Sequence, residues 1–144
     1  MLYSKPCEYA IRALAQIAQA PKNEEVRAQE IARKEKLPRP VLAKVLQELV
    51  RKGLLKSRRG PGGGFRLARR ADAITLRDAV GAIDGLDHFT ECTVGLERCS
   101  DETPCPLHDS FKPIRAQVQA HLEEATIAKM ASAIDRKRRV QRGR

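Results

Sequence analysis

The chain has 144 residues, 3% of them aromatic and none of them Trp, so a core must be built from Leu, Ile, Val and Ala, which favours packed helices in one domain or one domain plus an extension. No apolar run approaches the roughly 18 residues of a membrane span, and the N-terminus lacks a signal peptide's apolar stretch. The expected location is the cytoplasm, where the four cysteines stay reduced and serve metal or redox chemistry rather than disulfides. The net charge of +10 is spread unevenly. Residues 1–70 hold 17 Lys and Arg against 6 Asp and Glu, residues 71–110 hold 2 against 9, and residues 111–144 hold 9 against 3. Positive charge in the first half suits a polyanion such as nucleic acid. That half has no convergent carboxylates and no nucleophile–base pair, which argues against an enzyme.

A first helix is expected over about 4–19. Cys7, Ala10, Ile11, Leu14, Ile17 and Ala18 recur at helical spacing as one buried face. Ser4 serves as N-cap, and Pro6 fits the first turn, where no intrahelical donor is lost. Beyond Pro21 and Asn23 a short helix spans about 28–34 with Ile31 and Ala32 inward, and Lys36, Leu37 and Pro38 form a turn. A third helix covers about 39–52, flanked by Pro38 and Pro40 at its start and by Gly53 past its end. Val41, Leu42, Val45, Leu46, Leu49 and Val50 form its apolar face, leaving Arg39, Ala43, Lys44, Gln47 and Arg51 opposite. Two strands, 54–58 and 65–68, flank Arg59-Gly60-Pro61-Gly62-Gly63-Gly64 and read as a hairpin. The chain is therefore expected to be mainly α, with a winged helix-turn-helix over 1–70.

The second region, 71–134, opens on a helix that starts at Thr75, with Asp78 as capping partner and Leu76, Ala79, Val80 and Ile83 as apolar positions. Gly85 ends it. From about Ser110 a longer helix carries Phe111, Ile114, Val118, Leu122 and Ala125 at spacings of three and four. This stripe reads either as part of the monomer's core or as a homodimer seam, with the seam preferred because two-fold dimers suit DNA half-sites. Thr126 caps a last short helix through Ile134. Residues 135–144 are basic with little apolar content and are expected to be a disordered tail.

In a helix-turn-helix the second helix enters the major groove, which here presents Arg39, Ala43, Lys44, Gln47 and Arg51. Arg pairs bidentately with guanine and Gln with adenine. An ordinary solvated helix face carries similar residues, and the basic hairpin downstream tips the reading to DNA. Lys56, Arg58, Arg59 and Arg66 surround glycines, Gly62 and Gly63 among them, that allow close backbone approach. An arginine here is suited to a narrow minor groove. The glycine run lacks a Gly-Lys-Ser/Thr ending and leads into a strand, so it is not a phosphate loop.

Cys92, Cys99, Cys105 and His108 are spaced C-x6-C-x5-C-x2-H inside the acidic segment. Thiolates bind soft metals and histidine is a suitable fourth ligand. Structural zinc sites draw on close C-x2-C pairs, and a thiol–disulfide switch needs only two of the cysteines. An iron–sulfur cluster is held by thiolates, sometimes with His in place of Cys, and its size tolerates wide spacings. The chemistry ranks cluster first, zinc second and thiol switch third, and leaves all three open. Cys7 belongs to the core face, and His88 and His121 carry no pattern.

Four stretches together resemble one family: Glu8-Tyr9-Ala10-Ile11-Arg12-Ala13-Leu14, the wing 59–65, the helix start Ile74-Thr75-Leu76-Arg77-Asp78-Ala79-Val80, and the three-cysteine loop. Over residues 1–134 the chain resembles the iron–sulfur cluster regulators and nitric-oxide-sensitive repressors, the IscR/NsrR-like winged-helix regulators. The resemblance implies a dimeric transcription factor, here expected to be a repressor, that binds double-stranded DNA at an inverted repeat in response to a cluster. It matches Cys92, Cys99 and Cys105 to cluster cysteines and Arg59 to a minor-groove arginine. It divides over the fourth ligand. His108 stands where one branch places a histidine for a 2Fe–2S cluster, the expectation taken here over 4Fe–4S. Glu8 stands where the other branch uses a carboxylate, and its ordinary role would be an ion pair with Arg12 one turn on.

Overall fold

The computed structural model describes residues 2–143. The chain runs α1 (Lys5–Ala18), α2 (Ala28–Glu35), α3 (Arg39–Arg51), β1 (Leu55–Arg58), β2 (Gly64–Leu67), α4 (Leu76–Ile83), α5 (His108–Glu124) and α6 (Ile127–Arg142). Helix starts follow local chemistry. The Cys7 amide donates to Ser4 Oγ at 3.2 Å, and the Lys129 amide donates to Thr126 Oγ1 at 3.2 Å. At α4 the capping is reciprocal: the Asp78 amide donates to Thr75 Oγ1 at 3.1 Å and the Thr75 amide to Asp78 Oδ2 at 2.9 Å.

Helix α1 is the centre of the packing, with α2, α3, α4 and α6 around it. Its apolar face buries Cys7, Ala10, Ile11, Leu14 and Ile17, and α3 meets it with Leu42, Val45, Leu46 and Leu49. The same core takes in Ile74, Leu76, Val80, Leu122 and Ile127, so it continues across position 70. The Ile127 amide donates to the Ile74 carbonyl at 2.8 Å and the Leu76 amide to the Ala125 carbonyl at 2.8 Å, which fastens the α5–α6 joint to the start of α4.

The wing is an antiparallel pair in the register Leu55↔Leu67 to Arg58↔Gly64. Val26 adds a bridge on its far side: its amide donates to the Phe65 carbonyl at 2.8 Å, and the Phe65 amide returns one at 2.9 Å. That close approach requires glycine at 64, where φ is +151° and a Cβ would stand 2.6 Å from the Val26 carbonyl oxygen.

One expectation is refined and another changes. The long helix begins at His108 rather than near Ser110, and of its apolar stripe only Leu122 is fully buried, while Ile114 is 51% exposed. The first half of the stripe therefore takes no part in the protomer's core. The segment expected to be a disordered tail is helical: α6 continues to Arg142. Arg138 reaches buried Glu35 at 2.6 Å, Arg139 pairs with Asp135 at 2.7 Å, and cations in the last turn suit the helix dipole. Composition alone hid these partners. Arg144, the last residue of that expected tail, lies outside the described residues.

Candidate DNA interface and cysteine centre

Burying one face of α3 turns the other outward. Arg39, Ala43, Lys44, Gln47 and Arg51 are all exposed, and Arg51 is held by Glu48 at 2.8 Å. On the wing the two adjacent arginines differ. Arg58 is folded back, donating to the Gly62 carbonyl at 2.9 Å and pairing with Glu25 at 3.2 Å. Arg59 is exposed and makes no side-chain hydrogen bond or ion pair among the described residues, which leaves its guanidinium available to a partner. Gly62 is exposed with φ +73°, whereas Gly63 is buried, and a Cβ on it would stand 2.3 Å from the Arg58 carbonyl oxygen. Gly63 thus shapes the turn from within rather than lying on its surface.

The cysteine loop joins α4 to α5. Cys99 Sγ lies 3.0 Å from His108 Nδ1, and the other ring nitrogen, Nε2, lies 2.7 Å from Asp101 Oδ1. Lys112 Nζ donates to the same Asp101 oxygen at 2.6 Å. His108 is buried, is the first residue of α5, and donates its amide to the Cys105 carbonyl at 2.9 Å. Asp101 and then Cys99 raise the His108 pKa, because both stabilise the imidazolium. Arg115 and then His108 hold the Cys99 thiol below the usual range. Cys92 is also lowered, chiefly by the Val94 amide, with the Leu96 amide, the Cys105 thiol and Arg115 adding to it.

The four candidate donors stand as two pairs, Cys99 with His108 and Cys92 with Cys105. Among the described residues no group of three or more His, Cys, Asp or Glu side chains is placed to hold a metal ion. Glu8 is thus outside any such group, and it pairs with Lys5 at 2.7 Å rather than with Arg12. Arg12 is taken by Glu35, at 3.1 Å through Nε and also through its backbone carbonyl. Three residues that pattern reading passed over complete the centre: Asp101, Lys112 and Arg115. Arg115 donates to the Glu91 carbonyl at 2.8 Å and sits 5.3 Å from the Phe111 ring centroid, joining the loop to α5. The spacing in the sequence does not mark it, since its loop partners, Glu91 and Cys99, lie far away in the chain.

The thiol environments lead to a measurable difference. Burial pushes the Cys7 thiol up to about 12, whereas Cys92 and Cys99 are depressed. Near neutral pH, metal-free protein exposed to iodoacetamide is expected to lose Cys99 first, because the thiolate is the nucleophile. Cys7 is expected to react only after denaturation. Mass-spectrometric labelling order checks this, and early Cys7 modification would contradict it.

A winged helix-turn-helix carrying a cysteine-rich loop also agrees with what known proteins show. The family model described as "Rrf2: Iron-dependent Transcriptional regulator" matches residues 3–133. The chain belongs to the Rrf2 family. A putative HTH-type transcriptional regulator of Aquifex aeolicus is 35% identical over 129 residues, covering 88% of this chain and 89% of that protein. The HTH-type transcriptional regulator IscR of Vibrio atlanticus is 26% identical over 122 residues, covering 85% of this chain and 70% of that one. Among solved structures, CymR, the global cysteine regulator of B. subtilis, superposes with a TM-score of 0.76 at 26% identity, covering 90% of this chain and 95% of that chain. As an Rrf2 protein the chain is a DNA-binding transcriptional regulator and not an enzyme. No helix among the described residues is long and apolar enough to cross a membrane.

Proposed function

We propose that this Rrf2 regulator is a cytoplasmic homodimeric repressor whose operator affinity is set by an iron–sulfur cluster, 2Fe–2S in preference to 4Fe–4S, held by Cys92, Cys99, Cys105 and His108. The observation that carries the reading is the orientation of His108. A metal-ligating histidine characteristically gives its other ring N–H to a carboxylate, which fixes the ring and its tautomer. Here Asp101 receives Nε2 at 2.7 Å and leaves Nδ1 turned to the Cys99 thiol. The thiols fit the same role, because Cys92 and Cys99 are already biased toward the thiolate form that ligation requires. A bound cluster would supply a redox-active iron centre whose potential depends on surrounding hydrogen bonds.

The remaining work falls to the chain. His108 begins α5, so whatever His108 binds acts at the start of that helix. Phe111, Ile114 and Val118 follow on it, and the exposure of Ile114 supports placing the proposed dimer seam along this stretch. Two copies would present two α3 helices and two wings to an inverted repeat. A thiol–disulfide switch moves from third to second reading, supported by the neighbouring Cys92 and Cys105 thiols. Structural zinc is weaker, since the donors are paired without a close C-x2-C unit.

Anaerobic absorption spectra and midpoint potentials of three variants test the ligand set. His108→Ala is expected to change both, Asp101→Asn to shift the potential while keeping the cluster, and Glu8→Ala to match the wild type. An unchanged His108→Ala beside an altered Glu8→Ala would transfer the fourth position to Glu8.

A further inference from the structure

A second buried polar cluster is centred on a residue of neither candidate site. Glu35, the last residue of α2, is 2% exposed. Its Oε2 meets Arg12 Nε of α1 at 3.1 Å and an Arg138 guanidinium nitrogen of α6 at 2.6 Å. Gln16 of α1 gives an amide N–H to Oε1 at 3.2 Å and takes one from Lys34 Nζ at 2.9 Å, the orientation that satisfies both ends of its amide. One carboxylate therefore fastens three helices.

What it fastens is the shortest helix of the DNA-binding unit. Helix α2 has eight residues, has no side-chain cap at its N-cap residue Arg27, and turns only Ile31, Ala32 and Glu35 inward. A helix that short has little stability of its own, so its pose in the helix-turn-helix rests on tertiary contacts. Arg138 supplies one of these from the far end of the chain. Toward its N-terminus, α6 leads back through Thr126 to α5, whose first residue is His108.

We infer that Arg138 is a positioning residue for DNA recognition: through Glu35, the terminal helix sets the placement of α2, and so of α3, for specific operator binding. The inference rests on the family's DNA-binding role and not on the identity of any cofactor. It assigns a function to a stretch whose charge otherwise suggests only a solvated tail.

The test uses full-length wild type, Arg138→Gln, Arg138→Lys and Arg139→Gln. Arg139 is the control: it loses the same charge one residue along, but its side chain is 80% exposed and pairs with Asp135. Hydrogen exchange of residues 28–35 is measured without DNA. Affinity is measured on the duplex that the wild type selects from a randomised pool and on a scrambled duplex of equal length. Arg138→Gln is expected to speed exchange in α2 and to lower selected-site affinity by about tenfold more than scrambled-site affinity, because removing one partner of a buried pair exposes the other's desolvation cost. Arg138→Lys should restore most of both, and Arg139→Gln should show neither beyond a uniform loss on the two duplexes. Arg138→Gln indistinguishable from Arg139→Gln in exchange and in selectivity would overturn the inference. If the wild type selects no sequence, the DNA-recognition reading itself fails, and the exchange comparison still decides whether Arg138 holds α2.

Discussion

Protein carrying Cys99→Ala is expected to emerge from anaerobic purification colourless and without acid-labile sulfide, while Cys7→Ala keeps both colour and sulfide. Cys99 is the thiol with the most developed surroundings. Arg115 and His108 both favour its thiolate, and His108 Nδ1 lies 3.0 Å away. Removing it takes away a ligand and the anion that helps to orient the imidazole. The loss should therefore exceed the roughly 10–100-fold affinity change that follows when only a ligand's supporting partner is removed. Cys92→Ala and Cys105→Ala should behave alike. Cys7 is the internal control, since it is fully buried in the core among α1's apolar residues and its thiol is pushed up to about 12. Iron and sulfide analysis checks the set. Wild-type levels in any of the three loop variants would remove that cysteine from the ligand set.

Arg59→Ala is expected to produce the largest loss of DNA affinity among single surface changes, and Arg58→Ala a different kind of loss. Arg59 is exposed at the wing without a side-chain partner among the described residues, so reaching DNA breaks no contact. A direct base or groove contact of this kind is worth about 1–3 kcal/mol, and the effect should be greatest at sites with a narrow A·T-rich minor groove. Arg58 must first give up Glu25 and the Gly62 carbonyl. Its replacement should loosen the wing and weaken all duplexes alike. Titrations at several salt concentrations separate the two: Arg59→Ala should lower the slope of log K against log salt by about one counterion. Arg59→Ala binding every duplex as the wild type does would mean that the wing does not dock as the fold suggests.

Much of the architecture was legible because local chemistry and burial agree. Ser4, Thr75 and Thr126 cap the helices expected of them, and the α3 residues assigned to the core at 42, 45, 46 and 49 are buried. The contacts that escaped reading all depend on distant partners. Val26 joins the wing because β2 has a free edge, and a lone Val in a loop carries no strand period. The arginine-rich end of α6 has the composition of a tail, yet it folds against Glu35, which is 103 residues away from Arg138 in the chain. Helical spacing offers Arg12 to Glu8 as an ordinary ion pair, but a buried carboxylate without solvent has more to gain from it than an exposed one already served by Lys5. In the cysteine loop the donor spacing was visible, whereas Asp101, Lys112 and Arg115, which set the electrostatics of those donors, were not.

The most direct test is an anaerobic operator titration with one preparation measured before and after its cluster is removed by chelation, with Cys99→Ala alongside. If the cluster at Cys92, Cys99, Cys105 and His108 governs DNA binding, removing it should change operator affinity by about 1–3 kcal/mol, the usual scale of coupling between two sites. Cys99→Ala should bind as the stripped protein does, and affinity for scrambled DNA should stay nearly constant. Identical operator affinity with and without the cluster, or a preparation that contains stoichiometric zinc and no iron, would contradict that control.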